Sequence, residues 1–291
     1  MLYNYFLHLR GHTLQFVPET LKTVELCLEA VKQNHWVIEY VPVALRMRLN
    51  KERFNFFYLP YMPEFLANIQ WLKQNDYPGR GIVMGLGAGG ELVQIYWIMG
   101  RSENSKNRIF VQNKDGSVST KAFDEKKLTD PSLIIYNPFR ITKGAYIISN
   151  GNQTDTIAEF LKEGKTFEDA LKTRTYEPDS PSYTPRISGI FYPKGSYALS
   201  IIKAGSDKQN PKRESILIEK ETGTPNMGEM ITTYECDGDP LQSFIGLPRL
   251  MPIKNTAQEN LDFYWDMLNP KFRVSILINW QNSILIRNVN V

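Results

Sequence analysis

The sequence of 291 residues predicts an α+β fold preceded by a small helical module. Two observations carry this prediction. After residue 76, short segments rich in β-branched and aromatic residues follow one another closely, with few helical segments between them. Before it, apolar residues recur at helical spacing. Strands that do not alternate regularly with helices favour antiparallel sheets. We therefore predict a helical repeat module of unknown function at 1–63 and a larger α+β domain at 64–291.

The composition is that of a folded globular protein and excludes several classes. Hydrophobic residues make up 42% and charged residues 22%, which excludes a disordered chain. A net charge of +3 gives no reason to expect a nucleic-acid partner. Cys27 and Cys236 are too few for a disulfide framework or a cysteine-rich zinc site. The start of the chain lacks the features of a signal peptide, and the apolar run at 81–100 carries Glu91 and Gln94. We therefore expect a cytoplasmic protein with no membrane or nucleic-acid partner.

The N-terminal module contains an internal repeat. A pattern of His, apolar or aromatic residues, Val-Pro, Leu and a basic residue begins at His12 and returns at His35. Residues 23–32, between the two copies, have helical spacing, and short repeats of this kind usually stack as helical pairs. The module resembles a family of small tandem repeats of unknown function. Because the two histidines are equivalent positions of two copies, the repeat favours a packing role over a metal site.

The remaining elements follow in chain order. Residues 63–75 have helical spacing, and the segment DYPGRG at 76–81 ends this helix. Strands are predicted at 81–85, 92–99, 108–112, 117–123, 133–136 and 145–149, and later near 187–192, 196–203, 214–219, 230–235, 272–279 and 283–289. Helices are predicted at 154–162 and 166–173, each with a capping Thr, and near 257–268.

The glycine-rich segment GLGAGG at 85–90 allows two interpretations. Gly85, Gly87 and Gly90 match the dinucleotide-binding pattern GxGxxG, which requires a helix directly afterwards. The residues that follow, LVQIYWIM, are instead rich in β-branched and aromatic types. This favours a hairpin turn over a cofactor loop.

Histidine is absent after His35, which limits the chemistry of the larger domain. A Ser-His-Asp triad or His-ligated zinc is excluded there, so proton transfer must use Tyr, Lys, Glu, Asp or water. The segment RSENSKNR at 101–108 holds three cations, Arg101, Lys106 and Arg108. Such a cluster after a buried strand suits an anionic ligand such as a phosphate. The alternative is a solvated loop between strands.

Three further segments are candidates, each with a structural alternative. Residues 149–155 form a strand, an Asn-Gly turn and a helix start, which either attracts an anion or caps the helix. Tyr136 and Asn137 end an apolar segment and either project into a cleft or border the core. The proline-rich segment 175–187, with Glu177, either positions a carboxylate or only connects two elements.

These segments, in this order, resemble the archaeal-type IMP cyclohydrolase family and its bacterial relatives. The matching stretches are YPGRG at 77–81, IMGRSENSKNRIF at 98–110, DPSLIIYNPFR at 130–140, ISNGNQTDTI at 148–157 and YEPDSPSYTPRISG at 176–189. The resemblance implies an Ntn-hydrolase-like αββα four-layer sandwich. It also implies closure of FAICAR (5-formamido-imidazole-4-carboxamide ribotide) to inosine monophosphate with loss of water, the last step of de novo purine biosynthesis, without metal or cofactor.

The same resemblance assigns residues. It implies a catalytic trio of Arg108, Tyr136 and Glu177, and substrate-binding roles for Arg101, Asn107, Asn137, Asn150, Gly151, Asp155 and Arg186. We hypothesise that Arg108 contacts the formyl oxygen or the phosphate, that Tyr136 shuttles protons, and that Glu177 is a base or orients Tyr136. The expected ligand is a small purine nucleotide, and the expected assembly is a homo-oligomer. The alternative is a non-catalytic protein that binds a purine nucleotide or a partner on the same scaffold.

Overall fold

The computed structural model describes residues 11–33, 37, 40–42, 45, 62–128, 131, 134–207, 211–221 and 223–291. The chain divides into two compact units, Met1–Leu66 and Ala67–Val291. His8, His35 and the side chain of His12 lie outside the described residues, so the predicted packing role of these histidines stays a prediction. Over the described ranges, no helix combines the length and the apolar character needed to cross a membrane.

The N-terminal unit contains helix α1, Val24–Gln33, where the helical spacing was noted, and two short 3₁₀ helices, Gly11–Phe16 and Glu19–Leu21. Leu26 and Ala30 lie one turn apart on α1, so both side chains face the same side, and both are buried. They belong to a small apolar cluster with Leu14, Val17, Cys27, Val31, Val37 and Val41. Most of the second repeat copy is not among the described residues, so the repeat itself stays a prediction.

Helix α2, Met62–Gln74, contains the predicted domain boundary in its first turn, and this boundary is still a prediction. The strands that follow are β1 Gly81–Leu86, β2 Leu92–Met99, β3 Arg108–Gln112, β4 Val118–Ala122, β5 Phe139–Thr142, β6 Ala145–Ser149, β7 Arg186–Phe191, β8 Tyr197–Ala204, β9 Arg213–Lys220, β10 Met227–Thr232, β11 Arg249–Pro252, β12 Arg273–Trp280 and β13 Ser283–Asn288. The helices are α3 Glu103–Lys106, α4 Gln153–Lys162, α5 Phe167–Lys172 and α6 Ala257–Met267.

The strands form two antiparallel sheets, which confirms the predicted α+β class. A six-stranded sheet has the order β11-β10-β1-β2-β12-β13, and a seven-stranded sheet has the order β3-β4-β5-β6-β7-β8-β9. The glycine-rich segment joins β1 and β2 as a hairpin, in which Gly81 lies opposite Trp97 and Leu86 opposite Leu92. The hairpin interpretation is therefore correct, and a strand occupies the place where a dinucleotide fold needs a helix.

Three apolar clusters place the elements in layers. One cluster joins residues of both sheets, including Met84 and Tyr96 of the first sheet and Phe139 and Leu199 of the second. A second cluster packs α2 and α6 onto the six-stranded sheet, and a third packs α4 and α5 onto the seven-stranded sheet. The central strands β2 and β8 are buried almost throughout because both faces of each sheet are covered there, whereas the edge strand β9 is largely exposed.

The structure differs from the predicted elements in several places. Of the predicted strand at 133–136, the described residues 134–136 lie outside the sheets, because prolines at 131 and 138 interrupt the ladder on either side. The short strands β5 and β11 were not predicted. Thr166 caps α5 as expected, in a capping box with Asp169, but Thr154 lies inside α4, where its hydroxyl contacts the Gly151 carbonyl at 3.2 Å.

Candidate active site

Arg108 is the first residue of β3 and is fully buried. The short helix α3 brings the guanidinium to its place, because Nε donates to the Ser105 carbonyl at 2.8 Å. Ser105 is itself held by a capping box with Ser102. A second nitrogen of Arg108 is 3.5 Å from the Met99 carbonyl, and Nη1 has no hydrogen-bond partner among the described residues. One buried donor therefore remains for a ligand.

Tyr136 lies in the irregular segment before β5. Thr120 makes the hydrogen bonds to its backbone there. The Thr120 hydroxyl accepts from the Tyr136 N–H at 2.8 Å, and the Thr120 N–H donates to the Tyr136 carbonyl at 2.8 Å. The Tyr136 hydroxyl is 2.7 Å from the hydroxyl of Tyr96, a fully buried residue of β2. Burial raises the pKa of Tyr96, and its neighbour Tyr136 adds to this effect. Both backbone and side chain of Tyr136 are thus held in one geometry.

Glu177 is 2% exposed and lies in the loop before β7. Its N–H donates to the Thr184 carbonyl at 2.9 Å. The Asp179 carboxylate accepts from the Thr184 N–H at 2.6 Å and from the Thr184 hydroxyl. The same hydroxyl is 2.5 Å from the hydroxyl of Tyr234, at the end of β10. The loop is therefore fastened on itself and on the other sheet, which explains how an irregular segment holds a carboxylate in a buried place.

The electrostatics of Glu177 combine burial with three nearby cations. Burial raises the pKa of the Glu177 carboxyl, while the charges of Arg80, Arg186 and Arg108 lower it and Asp179 raises it. The net direction is upward. A carboxyl with a raised pKa in a buried site is suited to accept and return a proton near neutral pH.

The structure places the three residues of the predicted trio in one buried region of the larger unit. Burial lowers the pKa of Arg108, the Tyr136 phenol opposes this shift, and the charge of Arg80 adds to it. The charge of Arg108 also acts on Glu177. Arg80 and Tyr96 belong to the same region but were not selected from the sequence. The segment YPGRG contains Arg80 and was a signal for it, whereas nothing local distinguishes Tyr96 from other strand residues.

A second set of predicted residues forms a network beside Glu177. The Arg186 guanidinium donates to the Thr175 carbonyl and to the Gln153 side chain, each at 2.8 Å. Gln153 donates to the Asn150 Oδ1 at 2.9 Å. A Cβ at Gly151 would lie 2.4 Å from Arg186 Nη1, so the end of the arginine side chain passes close to the backbone of this turn. Asn150, Gly151 and Arg186 are therefore neighbours, and their substrate-binding roles stay a prediction.

Asn150 has a structural task that can be measured. It is fully buried, its Nδ2 donates to the Pro185 carbonyl at 2.8 Å, and its Oδ1 accepts from the Ile187 N–H at 2.9 Å. Asn150→Ala leaves these buried groups unpaired and should lower the free energy of unfolding by about 2–4 kcal/mol. Denaturant unfolding measures this loss. Asn152→Ala, an exposed neighbour in the same turn, is the control, and equal stability of the two variants would contradict the expectation.

Asn137 and Asp155 form another polar cluster. The Asn137 amide donates to both carboxylate oxygens of Asp155, at 3.1 and 3.2 Å, and its carbonyl accepts from Ser119 at 2.8 Å. Arg140 pairs with Asp155 at 2.7 Å. Asp155 lies in the first turn of α4, where the helix dipole favours a negative charge. The cluster is half-buried and adjoins the site through the peptide bond between Tyr136 and Asn137.

The remaining two predicted residues make other contacts. Arg101 is exposed, pairs with Asp237 at 3.1 Å and lies 5.2 Å above the Tyr77 ring. The Asn107 amide donates to the Asp124 carbonyl and accepts from the Asp124 N–H, each at 2.8 Å. Both polar atoms of the Asn107 side chain thus form hydrogen bonds with the turn after β4. Neither residue hydrogen-bonds to Arg108, Tyr136 or Glu177.

A comparison with protein families gives two matches. A family model described as IMP cyclohydrolase-like protein matches residues 77–283, which is more than half of the chain and includes Arg108, Tyr136 and Glu177. A model described as a domain of unknown function, DUF4116, matches residues 7–46.

Several archaeal proteins named IMP cyclohydrolase are similar to this chain. The protein from Halobacterium salinarum is 30% identical over 132 residues, which cover 44% of this chain and 63% of the relative. The protein from Methanocella arvoryzae is 32% identical over 133 residues, 44% of this chain and 64% of the relative. The protein from Haloarcula marismortui is 29% identical over 164 residues, 55% of this chain and 75% of the relative. The chain thus spans less than two thirds of the length of the first two of these relatives.

Proposed function

We propose that this chain, which belongs to the IMP cyclohydrolase-like protein family, closes FAICAR to inosine monophosphate and releases water. One observation carries the proposal: a buried guanidinium, a buried phenol and a buried carboxylate gather in the region that the family model covers. The archaeal relatives named IMP cyclohydrolase support it. The reaction is intramolecular, so orientation of the two reacting groups supplies much of the rate, up to ~7–11 kcal/mol in well-oriented systems.

The proposed reaction has two steps. The carboxamide nitrogen attacks the formyl carbon, which forms the new ring bond and pushes an electron pair onto the formyl oxygen. The nitrogen loses one proton and the oxygen gains one, which gives a carbinolamine. The carbinolamine then loses its hydroxyl and the proton of the former formamide nitrogen as water, and a C=N bond forms. The protein must accept one proton and supply another in each step.

We assign the developing negative charge on the formyl oxygen to Arg108. Its Nη1 is buried without a hydrogen-bond partner among the described residues, so it is available to a ligand oxygen. Donors that are already oriented toward a developing oxyanion contribute about 3–4 kcal/mol to the barrier reduction. Because the Arg108 backbone and its other nitrogens are held by neighbouring carbonyls, the donor needs little reorganisation during the reaction.

We assign the protons to Glu177 and Tyr136. Glu177 takes the proton of the attacking nitrogen, which suits a buried carboxyl whose pKa is raised. In the first step Tyr136 donates its proton to the formyl oxygen. In the second step Glu177 returns its proton to the departing hydroxyl, and the Tyr136 phenolate takes the proton of the former formamide nitrogen, which restores both groups. The contact of Tyr136 with the Tyr96 hydroxyl orients the phenol, and in this assignment Tyr96 is the donor of that hydrogen bond.

The test of the function is an assay with purified protein and FAICAR. We expect an absorbance change as the second ring closes, with IMP identified by chromatography and mass spectrometry. Calorimetry with IMP is run beside it. Binding of IMP without turnover of FAICAR would contradict the proposal and favour the alternative of a non-catalytic nucleotide-binding protein.

Replacing Tyr136 by Phe removes the proposed proton donor and keeps the ring. We expect kcat to fall by about 10²–10³, because general acid catalysis contributes on this scale, while KM changes less than threefold. Tyr146→Phe, in which the hydroxyl of a half-buried tyrosine of β6 is lost, is the matched control. Unchanged kcat in Y136F would exclude Tyr136 from proton transfer.

We also infer finer features of the same protein. Two stacked antiparallel sheets, with helices packed on the outer face of each, support an Ntn-hydrolase-like αββα fold for the larger unit. We further propose that the chain binds a purine nucleotide and forms a homo-oligomer. We also propose that it is cytoplasmic and carries an N-terminal helical repeat module. Light scattering on the full chain tests the assembly.

A further inference from the structure

Arg80, in the segment YPGRG, has so far no task in the reaction. It directly precedes β1 and its backbone is clamped to the end of β10. The Arg80 N–H donates to the Thr233 hydroxyl at 3.0 Å, and the Arg80 carbonyl accepts from the Thr233 N–H at 2.9 Å. The side chain is 8% exposed, and its Nε has no hydrogen-bond partner among the described residues. A buried arginine with an unused donor costs stability, so its presence requires an explanation.

The two glycines beside Arg80 lie where the surrounding side chains leave no room for a Cβ. Gly79 has φ +73°, and a Cβ there would lie 2.2 Å from the Thr233 hydroxyl. A Cβ at Gly81 would lie 1.9 Å from the ring of Trp97. No other residue type fits either position, so the chain admits Arg80 to this place only between two glycines. The direction of its side chain is thereby restricted.

The end of β10 that holds Arg80 also holds the loop of Glu177. The hydroxyl of Tyr234, the residue after Thr233, is 2.5 Å from the Thr184 hydroxyl, and the Thr184 carbonyl accepts from the Glu177 N–H.

Several charged groups surround Glu177 there. Those that act on Glu177 are Arg80 from the start of β1, Arg186 from β7, Asp179 from the same loop and Arg108 from β3. Two nitrogens of Arg186 donate to Thr175 and Gln153. Two nitrogens of Arg108 contact the carbonyls of Ser105 and Met99. The Arg80 Nε has no hydrogen-bond partner among the described residues.

The charges around Arg80 point the same way. Burial opposes its charged form, but Glu177 and the phenols of Tyr234, Tyr77 and Tyr136 outweigh burial, so the pKa of Arg80 is raised. The pKa of Arg108 is lowered instead. The two buried guanidiniums are therefore not equivalent: the Glu177 charge raises the pKa of Arg80, whereas the pKa of Arg108 is lowered.

We propose that Arg80 is a positioning residue, whose charge keeps the buried Glu177 carboxylate ionised and in place and so leaves Arg108 to the substrate oxygen. This proposal rests on the function proposed above. Without Arg80, burial would favour the protonated form of Glu177, which cannot accept a proton from the attacking nitrogen. Arg80 acts through Glu177 and needs no contact with the substrate.

The test is the pH profile of kcat/KM in the full chain. Activity falls at low pH when Glu177 becomes protonated, and the charge of Arg80 keeps this acid limb at lower pH. In Arg80→Met we expect the limb to move to higher pH by about 1 unit, because an opposite charge at close range lowers a carboxyl pKa by ~1–3 units. In Arg80→Lys, which keeps the charge, the limb should stay within about half a unit of the parent. R80Q takes the place of R80M if R80M does not fold.

Two further variants separate positioning from structure. Arg249→Met removes a half-buried arginine that pairs with Glu235 and whose Nε lacks a partner among the described residues. This variant should leave the acid limb in place. In an E177Q background, R80M should lower kcat by less than about threefold more, since its effect passes through Glu177. An unmoved acid limb in R80M, or a further tenfold loss in the double variant, would overturn the proposal.

A readout without substrate keeps this proposal separate from the proposed function. Carbon-13 labelling of glutamate carboxyls allows the Glu177 signal to be assigned by its loss in E177Q. Its titration midpoint should rise by about 1 pH unit in R80M and not in R249M. If FAICAR is not turned over but this shift occurs, the function fails and the role of Arg80 stands. If FAICAR is turned over and the midpoint does not move, the role of Arg80 fails alone.

Discussion

Glu177→Gln lowers kcat by about 10²–10⁴ and changes KM little, if the buried carboxylate is the base of the ring closure. Glutamine has the shape of glutamate and retains a carbonyl oxygen, but it does not accept a proton at any relevant pH. Glu177 is buried beside three guanidiniums, so bulk water has limited access to replace it. Loss of turnover with preserved substrate binding is therefore the expected signature.

Steady-state kinetics with FAICAR and calorimetry with IMP measure the two parts of this expectation. Glu229→Gln is the matched control, because Glu229 is also a largely buried carboxylate that accepts from a phenol, that of Tyr197 at 3.0 Å. Its charge is not among those that act on Glu177. The control should keep kcat within about twofold of the parent. Equal kcat in E177Q and the parent chain would remove Glu177 from the mechanism.

The free energy of unfolding of E177Q provides a second test, independent of kinetics. The pKa of Glu177 is raised in the folded state, so the stability it contributes is complete below its unfolded pKa. That stability is lost as the pH rises through the folded pKa. Glutamine shows no such loss, so E177Q should gain in free energy of unfolding relative to the parent as the pH rises above the unfolded-state pKa of a glutamate carboxyl. A variant that is more stable yet far slower indicates a residue kept for chemistry.

Arg108→Met is the second substitution with a large expected effect: kcat should fall by at least about 10², while the fold persists. The guanidinium is fully buried, burial lowers its pKa, and Nη1 has no partner among the described residues. Methionine fills a similar volume without a charge, and replacement of buried charges by apolar residues is often neutral or stabilising. The carbonyls of Ser105 and Met99 lose a donor, which offsets part of this gain.

Denaturant unfolding and kinetics on the same sample check this expectation. Stability within about 2 kcal/mol of the parent, with kcat reduced 10²-fold or more, supports an electrostatic role for Arg108. Arg108→Lys should recover only part of kcat, since an ammonium lacks the planar arrangement of donors. Arg273→Met, which removes a guanidinium stacked 4.5 Å from the Trp265 ring, is the control and should retain kcat. Full activity in R108M would exclude the assignment.

Much of the fold was predictable because its elements are locally encoded. Runs of β-branched and aromatic residues predicted β1, β2, β7, β8, β12 and β13 to within a few residues. The capping residue Thr166 predicted the start of α5. The prediction of a strand at 133–136 was wrong for the described residues 134–136. Prolines flank the segment, and the Tyr136 N–H bonds to the Thr120 side chain where a strand would bond to backbone.

For the site, the sequence showed which residue types are present and in what order. The resemblance to a family then assigned the trio of Arg108, Tyr136 and Glu177. The absence of histidine after His35 already confined the larger domain to other proton carriers. The partners of the trio were not readable. Tyr96 meets Tyr136 only because β2 of one sheet faces the segment before β5 of the other. Arg80 and Glu177 are separated by about a hundred residues of chain and act on each other only after both loops are packed.

The fold class, most strands and helices, and the residue types available for proton transfer could therefore be read from the sequence. Only the folded chain shows which buried charges share one region. The difference lies in the range of the interactions. Strand and helix preferences depend on neighbours a few residues away, whereas the energy of a buried charge depends on every group within several ångströms, whichever part of the chain supplies it.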